Sequence, residues 1–379
     1  MEQHENILPA LQDLSGSSVV AAMSGGVDSS VCALLLSRSG AQVMGATMRL
    51  FGDDDLAGVD EPAQYSTCCS LDDVADAKAV CRRLGIRHQT LNFRQDFAEK
   101  VMDPFCQSYL NGETPNPCIA CNRYLKFDTL QRFRAQMGYD YVATGHYVRR
   151  LFNQATGRYE LKVAADPAKD QSYVLYSLTQ EQLAHTVFPL GELTKTQVRD
   201  IAAGEGFVNA QKPESQDICF VPDGDYTSFI ERRTGKRIEP GEIVDAAGRV
   251  LGEHAGLARY TIGQRRGIGV AGPEPLYVCG KRLEQNQLVV GVREDTLITH
   301  VTVEDVNFVS VAGFDGAVKA QVKIRYRQQA QPATVVQTGP TSIEIAFAQP
   351  VCATAPGQAA VVYDGELVLA GGTITSCSK

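Results

Sequence analysis

Three of the eleven cysteines stand in polar segments, where a thiol is able to react. Cys118 and Cys121 form a Cys-x-x-Cys pair in "NGETPNPCIACNRYLKF", and Cys219 follows about a hundred residues later in "ESQDICFVPDGDY". This set allows an iron–sulfur cluster with one open iron, a structural zinc site, or a thiol pair that transfers sulfur through a persulfide and a disulfide. Zinc is the weakest of the three, because the chain has one such pair and Cys68 and Cys69 are adjacent. The thiol pair is favoured, and unreactive buried thiols are the remaining alternative.

The residues around the Cys-x-x-Cys pair predict a thiolate on a loop. Pro115 and Pro117 disfavour a helix and predict an extended segment. A helix is expected to begin near Tyr124, so that its N-terminus, together with Arg123 and Lys126, stabilises the negative charge of a thiolate. Four other cysteines have apolar neighbours and are expected to be buried hydrophobic side chains: Cys32, Cys81, Cys279 and Cys352.

The second chemical feature is the glycine loop "SGGVDSS", which lies between an apolar run and a helical run. Adjacent glycines allow a tight turn that exposes successive backbone N–H groups, and the next helix directs its N-terminus to the same point, which favours phosphate. The loop lacks the lysine of a Walker A loop, and Gly25-Gly26 does not fit a dinucleotide fingerprint. Asp28 is expected either beside Mg²⁺ or as a helix cap. A purely structural turn remains the alternative.

The elements that position these residues alternate between strand and helix up to about residue 210. Apolar runs predict strands at 18–23, 43–48, 88–93 and 141–144, and helical spacing predicts helices at 29–38, 71–84, 124–137 and 195–204. Ser70 is the expected N-cap of the second helix, and Thr194 and Gln197 form a capping box for the last. This alternation predicts an α/β fold in which a doubly wound parallel sheet is covered on both faces.

After about residue 220 the pattern changes to short strands separated by glycine turns. It predicts two small β-rich modules, the last a β-barrel, and Asp364-Gly365 predicts a hairpin turn in that barrel. The expected domains are 1–224, 225–294 and 295–379.

Composition limits the classes of partner. The net charge of −8 counts against a strongly basic nucleic-acid binder but allows a local basic face. The sequence has no apolar run of roughly 20 residues, as a membrane span requires. The first twenty residues lack a signal-like apolar stretch and include Glu2, Glu5 and Asp13. We therefore expect a cytoplasmic protein without membrane contact. A monomer is the default expectation.

The loop "MSGGVDSS" resembles the pyrophosphate-binding loop of the PP-loop ATP pyrophosphatases, which split ATP into AMP and pyrophosphate to activate a carbonyl-type oxygen. Joined to a thiol pair, such activation implies that sulfur replaces that oxygen. Over almost its full length the chain resembles the tRNA-specific 2-thiouridylases. The matching motifs occur in the family's order: "MSGGVDSS", "TPNPCIACNRYLKF", "ATGHYV", "DPAKDQSYVL", "ESQDICF", "ARYTIGQRRGIG", "KIRYR" and "APGQAAVVY". The resemblance implies thiolation at C2 of the wobble uridine, position 34, of tRNA, with ATP and Mg²⁺ and a sulfur-donor protein.

The resemblance also implies roles for individual residues. Cys121 corresponds to the family's nucleophile, and Cys219 to the cysteine that carries the persulfide. The implied ATP-binding residues are Ala22, Met23, Ser24, Gly25, Gly26, Val27, Asp28, Ser29, Met48 and Gly145. Those implied near the target base or the tRNA are Asn116, Pro117, Cys118, His146, Lys169, Asp170, Gln171, Arg325, Tyr326 and Gln358.

One position departs from the family. Some members have an Asp, assigned to acid–base work, where this chain has Cys118, and a thiol with a pKa of about 8.5 replaces a carboxylate poorly at neutral pH. Either another group such as Asp217 handles the proton, or Cys118, Cys121 and Cys219 hold an iron–sulfur cluster.

Plainer interpretations of the remaining motifs stay open beside the resemblance. His146 alone is typical of a hydrogen-bonded structural histidine, and "KDQ" of a turn. Arg325 and Arg327 are expected to alternate with Tyr326 on a strand and so to share one face. The basic, glycine-rich "YTIGQRRGIG" predicts a loop near the tRNA backbone.

Overall fold

A computed structural model describes residues 14–52, 71–213 and 218–379. The chain divides into two compact units. Unit 1 comprises Met1–Val101, Cys118–Gly224 and Glu366–Val368, and unit 2 comprises Met102–Pro117, Asp225–Gly365 and Leu369–Lys379. Ser70, Cys68, Cys69 and Asp217, which the sequence singled out, lie outside the described residues.

Unit 1 contains a parallel sheet. Its strands are β1 (Ser18–Ala22), β2 (Gln42–Arg49), β3 (Arg87–Asn92), β4 (Tyr141–Ala143) and β7 (Thr186–Val187), in the spatial order β3-β2-β1-β4-β7. All four pairings are parallel. The order reverses between β1 and β4, and in such sheets ligands bind beyond the carboxyl ends of the strands at this switch point. The glycine loop follows β1 at that place.

Helices cover both faces of this sheet, because β1 is apolar on each side. The α-helices of unit 1 are α1 (Val27–Arg38), α2 (Leu71–Leu84), α3 (Arg94–Phe97), α5 (Pro117–Cys121), α6 (Leu130–Gln136), α7 (Gln180–Ala184) and α8 (Lys195–Gly204). π-Helical turns lie at Ala98–Met102 and Asn122–Thr129, and α4 (Asp103–Leu110) and α9 (Tyr226–Thr234) belong to unit 2. Val19 and Ala21 pack with α1, α2 and α8, whereas Val20 packs with Leu130 on the opposite face. The predicted doubly wound α/β fold is confirmed.

A short antiparallel hairpin completes unit 1. Strands β5 (Arg149–Asn153) and β6 (Arg158–Lys162) pair with each other, and Leu367 and Val368 pair with the end of β6. At the base of the hairpin, Arg149 donates to the carbonyl of Val163 at 2.7 Å, which fixes the segment that follows "ATGHYV".

Unit 2 is β-rich, as predicted. Four strands, β8 (Gly241–Val244), β9 (Val250–His254), β10 (Tyr277–Arg282) and β11 (Gln287–Gly291), form a sheet in the order β10-β11-β8-β9. Six more form a closed antiparallel barrel in the order β12-β15-β14-β13-β16-β17: β12 (Leu297–Phe308), β13 (Ala317–Lys323), β14 (Gln331–Gly339), β15 (Ser342–Cys352), β16 (Ala359–Asp364) and β17 (Leu367–Ser378). The barrel closes where β17 pairs with β12. Gly365, with φ of +55°, makes the predicted hairpin turn.

Two local expectations are wrong. The segment with Cys118 and Cys121 is helix α5 and not an extended loop. Pro117 is the first residue of α5. The backbone N–H at this position has no partner within a helix, so proline loses no hydrogen bond there, and its fixed φ suits a helix. Arg325 and Tyr326 lie in a turn after β13, which ends at Lys323, so they do not alternate on a strand.

Candidate active site

The glycine loop makes the tight turn that the sequence predicts. Gly25 has φ of +75°, and a Cβ there would lie 2.4 Å from the carbonyl oxygen of Asp73. Gly26 is the N-cap of α1 and offers no side-chain cap. Ser29 closes the turn, because its hydroxyl donates to the Gly26 carbonyl at 2.9 Å and accepts from the backbone N–H of Ser24 at 3.2 Å. The first N–H groups of α1 therefore face the loop, in the arrangement that binds anions.

A pocket of about 200 Å³ opens at this loop. It is lined by Ala22, Met23, Ser24, Asp28, Ser29, Met48, Leu50, Lys126, Thr144, Gly145, His146 and Gln171. Seven of the ten residues implied for ATP thus share one pocket, while Gly25, Gly26 and Val27 form the adjoining turn. Leu50, Lys126 and Thr144 were not singled out as pocket residues, although Lys126 and Thr144 lie within the quoted motifs "TPNPCIACNRYLKF" and "ATGHYV".

Gly145 brings the end of β4 against α1. A Cβ at this position would lie 2.9 Å from the carbonyl carbon of Asp28 and 3.0 Å from the backbone nitrogen of Ser29. Only a residue without a side chain permits this approach. Gly145 thus sets the width of the pocket at the helix N-terminus.

Asp28 is held by two residues from distant parts of the chain. Its carboxylate accepts from Lys195 Nζ at 2.7 and 2.8 Å, and from the hydroxyl of Tyr147 at 2.7 Å. It makes no cap hydrogen bond, so the helix-cap interpretation is wrong. Sequence reasoning missed Lys195, which is the first residue of α8; its capping box pointed only to a helix start.

His146 lies at the wall of the pocket and is 8% exposed. Its Nδ1 is 2.8 Å from the hydroxyl of Thr144, and Phe127 and Phe188 lie against its ring. Burial, with a smaller contribution from the charge of Lys126, lowers the pKa of His146 well below its ordinary value. The imidazole is therefore neutral at physiological pH.

The "KDQ" segment is a hydrogen-bonded turn in unit 1. Asp170 accepts from the backbone of Ala164 at 3.0 Å and from the hydroxyl of Ser172 at 2.7 Å. Gln171 accepts from the N–H of Tyr147 at 2.9 Å while its own N–H donates to the Tyr147 carbonyl at 3.0 Å. Gln171 thus positions the segment that carries His146 and Tyr147, and Asp170 fixes the turn itself.

The three candidate cysteines differ in exposure. Cys118 is exposed, and Cys121 and Cys219 are half-buried. Since α5 begins at Pro117, Cys118 lies in the first turn of that helix and Cys121 at its end. The argument that a helix N-terminus stabilises a Cys121 thiolate therefore does not apply.

The other cysteines fall into two groups. Cys32 and Cys81 are buried, as predicted, and burial raises the pKa of the Cys81 thiol to about 11. Cys279 and Cys352 are half-buried instead, because they lie on strands that are only partly covered.

Two anchors near Cys219 were missed by the sequence. Asn209 donates to the carbonyl of Gly25 at 2.8 Å, and Lys212 Nζ pairs with Asp73 at 2.8 Å and with Asp76 at 2.6 Å. They tie the segment that leads towards Cys219 to the glycine loop and to α2. No sequence motif marks them, because each acts on a partner more than 130 residues away.

The residues implied for tRNA in unit 2 have structural partners of their own. Gln358 Nε2 donates to the carbonyl of Thr114 at 2.5 Å, so it fixes the segment that carries Asn116 and Pro117. Arg325 donates to the carbonyls of Ile262, at 3.2 Å, and Ala353. Arg325 thereby supports the glycine-rich loop at 260–269. Tyr326 is 43% exposed.

Metal ligation was tested on the side chains present. Within residues 14–52, 71–213 and 218–379, no three His, Cys, Asp or Glu side chains are grouped to hold a metal ion. Cys118, Cys121 and Cys219 are not part of such a group in the described residues. Among the residues lining the pocket, Asp28 is the one carboxylate. One protein carboxylate is enough for a Mg²⁺ ion that takes its other ligands from water and a bound phosphate.

Three family models match successive parts of the chain. The tRNA methyl transferase HUP domain matches residues 17–223, the tRNA methyl transferase PRC-barrel domain matches 227–292, and the aminomethyltransferase beta-barrel domain matches 298–374.

Curated relatives match almost the whole chain. The tRNA-specific 2-thiouridylase MnmA of Carboxydothermus hydrogenoformans is 48% identical over 94% of this chain and 97% of its own length, and that of Clostridioides difficile is 45% identical over the same shares. The chain belongs to the tRNA-specific 2-thiouridylase family. This membership confirms the resemblance on which the residue roles were based, and with it the prediction of an enzyme.

Solved structures add little to the family assignment. A 4-thiouridine synthetase in complex with RNA and bound ATP is similar with a TM-score of 0.35 and 17% identity, over 58% of this chain and 50% of that chain. A likeness of this size carries no argument about the 2-thiouridylase family.

In the described part of the chain, none of the helices is both long and apolar enough to cross a membrane.

Proposed function

We propose that this chain is an ATP-dependent tRNA sulfurtransferase that replaces the C2 oxygen of the wobble uridine, position 34, with sulfur. The observation that carries the proposal is the identity of 45% and 48%, over 94% of the chain, with enzymes named tRNA-specific 2-thiouridylase. The pocket at the glycine loop and the two half-buried cysteines of unit 1 supply side chains suited to the two halves of that reaction.

ATP binds in the pocket at the glycine loop. The N-terminus of α1 and the hydroxyls of Ser24 and Ser29 hold the phosphates, because backbone N–H groups and hydroxyls donate hydrogen bonds to phosphate oxygens. Met48 and Gly145 lie against the nucleotide. When Mg²⁺ is bound, Asp28 is the pocket carboxylate that would hold it, and the metal would supply positive charge against the phosphates. In the proposed reaction the β- and γ-phosphates leave together as pyrophosphate, as they do in the PP-loop ATP pyrophosphatases that the loop "MSGGVDSS" resembles.

The first chemical step activates the base. The C2 oxygen of the uridine attacks the α-phosphorus of ATP, the bond from that phosphorus to the bridging oxygen breaks, and pyrophosphate leaves. The proton on N3 passes to water. To reach the pocket, the uridine must leave its stack in the anticodon loop.

The second step transfers sulfur. Cys219 carries a persulfide, whose outer sulfur attacks C2 and displaces AMP. The thiolate of Cys121 then attacks the inner sulfur of Cys219, which breaks the sulfur–sulfur bond and leaves the transferred sulfur on C2. N3 takes a proton back from water, which completes the 2-thiouridine. A Cys121–Cys219 disulfide remains, and an external thiol must reduce it before the next turnover.

The departure at Cys118 is compatible with this scheme. The scheme uses Cys118 neither as an acid nor as a cluster ligand. His146 is also unsuited to acid catalysis, because its buried imidazole is neutral. The thiol route therefore accounts for the cysteines better than the cluster route.

We also propose the partners that the reaction requires. They are tRNA and a protein that delivers persulfide sulfur. The chain itself acts as a monomer in the cytoplasm. The exposed Arg265 and Arg266 of the glycine-rich loop, together with Arg325 and Tyr326, are suited to the phosphates and bases of tRNA.

One assay tests the proposed function. The purified chain is incubated with ATP, Mg²⁺, a cysteine desulfurase with cysteine, and an unmodified tRNA transcript that has uridine at position 34. We expect AMP and 2-thiouridine to form in equal amounts, as measured by chromatography and mass spectrometry. A methylated uridine formed in the presence of S-adenosylmethionine would instead support the methyl transfer that the family models' descriptions name.

A further inference from the structure

The pair of Lys195 and Asp28 joins the N-termini of two helices at the edge of the pocket. Lys195 is the first residue of α8, and Asp28 lies in the first turn of α1. Lys195 Nζ reaches both carboxylate oxygens of Asp28, at 2.7 and 2.8 Å. We propose that Lys195 is a positioning residue for the triphosphate of ATP. Asp28 brings a carboxylate into an anion site, and Lys195 neutralises this carboxylate and holds it aside. This inference rests on the proposed ATP site.

The carboxylate needs such a partner because of its place. Asp28 lines the pocket together with Ser24 and Ser29, at the helix N-terminus where phosphates bind. A carboxylate beside a triphosphate repels it, and this repulsion is strong where water is partly excluded. Without a neutralising charge, the loop would bind pyrophosphate poorly whenever metal is absent.

The geometry of Lys195 suits this role. The Lys195 side chain is 11% exposed and that of Asp28 is 32% exposed, so solvent screens their interaction only in part. The hydroxyl of Tyr147 donates to the same carboxylate at 2.7 Å and restricts its rotation. The backbone N–H of Lys195 donates to Asp166 at 2.9 Å, and the capping box of Thr194 fixes the start of its helix.

The position of Lys195 in its own helix supports the same conclusion. A positive charge at a helix N-terminus opposes the helix dipole, and acidic residues are favoured there. Local helix stability therefore does not explain a lysine as the first residue of α8, whereas the contact with Asp28 does.

The same two helices provide a matched control. At their C-terminal ends, Arg38 of α1 pairs with Glu205, the C-cap of α8, at 2.5 Å. Arg38→Gln breaks an ion pair between the same elements, away from the pocket. It separates a loss of helix docking from a change of charge at the anion site.

The experiment measures pyrophosphate and AMP binding by calorimetry in EDTA, with unfolding midpoints recorded for every variant. We expect Lys195→Gln to weaken pyrophosphate binding by about tenfold or more, since it exposes an uncompensated carboxylate, and to leave AMP binding unchanged. Asp28→Asn in the Lys195→Gln background restores pyrophosphate affinity, and Asp28→Asn alone raises it. Lys195→Arg and Arg38→Gln keep the affinity of the unmodified chain.

Three results overturn the inference. The first is unchanged pyrophosphate affinity in Lys195→Gln, and the second is a double variant that binds as weakly as Lys195→Gln. The third is a loss of pyrophosphate affinity in Asp28→Asn alone. Asparagine has the shape of aspartate and needs no repacking, so such a loss would mean that the carboxylate charge favours binding. If the unmodified chain binds neither ATP with Mg²⁺ nor pyrophosphate, the proposed ATP site itself fails, and the inference fails with it.

Discussion

The side-chain amide of Asn209 donates a hydrogen bond to the carbonyl of Gly25, 184 residues earlier in the chain, at 2.8 Å. The same nitrogen donates to the hydroxyl of Ser30 at 2.9 Å. Asn209 is 3% exposed, and Gly25 has φ of +75°. The conformation of the glycine loop is thus held from outside the loop, by a residue shortly before the segment that carries Cys219.

Replacing Asn209 tests this support. Asn209→Ala leaves the buried Gly25 carbonyl without this donor, so we expect the free energy of unfolding to fall by about 1–3 kcal/mol. ATP affinity should fall as well, because the loop loses its fixed conformation. Urea unfolding and calorimetry measure the two effects. The exposed Asn111→Ala, a control, should change the unfolding free energy by less than about 0.5 kcal/mol. Unchanged ATP affinity in Asn209→Ala contradicts the account.

Gly145 is a position where added volume should harm ATP binding. In Gly145→Ala the new methyl group would lie 2.9 Å from the carbonyl carbon of Asp28, a backbone atom that cannot rotate away. We expect α1 to shift, with a loss of about 1–3 kcal/mol in stability and a weaker Kd for ATP.

Gly204→Ala is the control for that substitution. Gly204 ends α8 and has open space around its Cβ position. Its replacement should leave ATP binding unchanged and should stabilise the helix by up to about 1 kcal/mol. Equal ATP affinities for Gly145→Ala and the unmodified chain argue against close packing at the pocket.

His146 should make stability depend on pH. Its pKa is lowered from the ordinary value of 6.5, because burial disfavours the charged imidazolium. Below pH 6.5 the unfolded chain therefore binds a proton that the folded chain does not, and stability falls as pH falls, by at most about 1.4 kcal/mol per pH unit. Above pH 6.5 the contribution is constant.

Unfolding of His146→Asn isolates this effect. His88 and His254 also have lowered pKa values and contribute to the slope of both proteins. The unmodified chain should lose more stability than His146→Asn between pH 7 and pH 5. Parallel curves mean that His146 is not the buried, neutral group described here.

The glycine-rich loop of unit 2 should contribute to the salt dependence of tRNA binding. Arg265 and Arg266 are exposed at its tip, while Arg325 supports its base through the Ile262 carbonyl. If both tip arginines contact phosphates, replacing both by Gln lowers the slope of log K against log salt by about 1.4–1.8. Arg249→Gln is the control, since Arg249 already pairs with Asp245 at 2.7 Å. An unchanged slope in the double variant places the tRNA elsewhere.

The sequence predicted the regular parts of the fold because local patterns determine them. Val19, Val20 and Ala21 are fully buried, and such an apolar run indicates a central parallel strand. The capping box at Thr194 is present as predicted, because it involves residues three apart. The pocket residues on the glycine loop were predictable for the same reason.

The sequence failed where distant residues decide the structure. Lys195, Asn209 and Lys212 act on partners 136 to 184 residues away, so no spacing reveals them. The family resemblance does not mark them either. Pro117 was misread as a helix breaker, although proline is favoured as the first residue of a helix.

Sulfur transfer through Cys121 and Cys219 is the central claim, and one comparison tests it most directly. Cys121→Ser, Cys219→Ser and the control Cys352→Ser, which is also a half-buried cysteine, are incubated with ATP, Mg²⁺, a persulfide donor and unmodified tRNA. The account predicts 2-thiouridine from the unmodified chain and from Cys352→Ser, and none from the other two, although all remain folded and bind ATP. Formation of 2-thiouridine by either Cys121→Ser or Cys219→Ser contradicts the account.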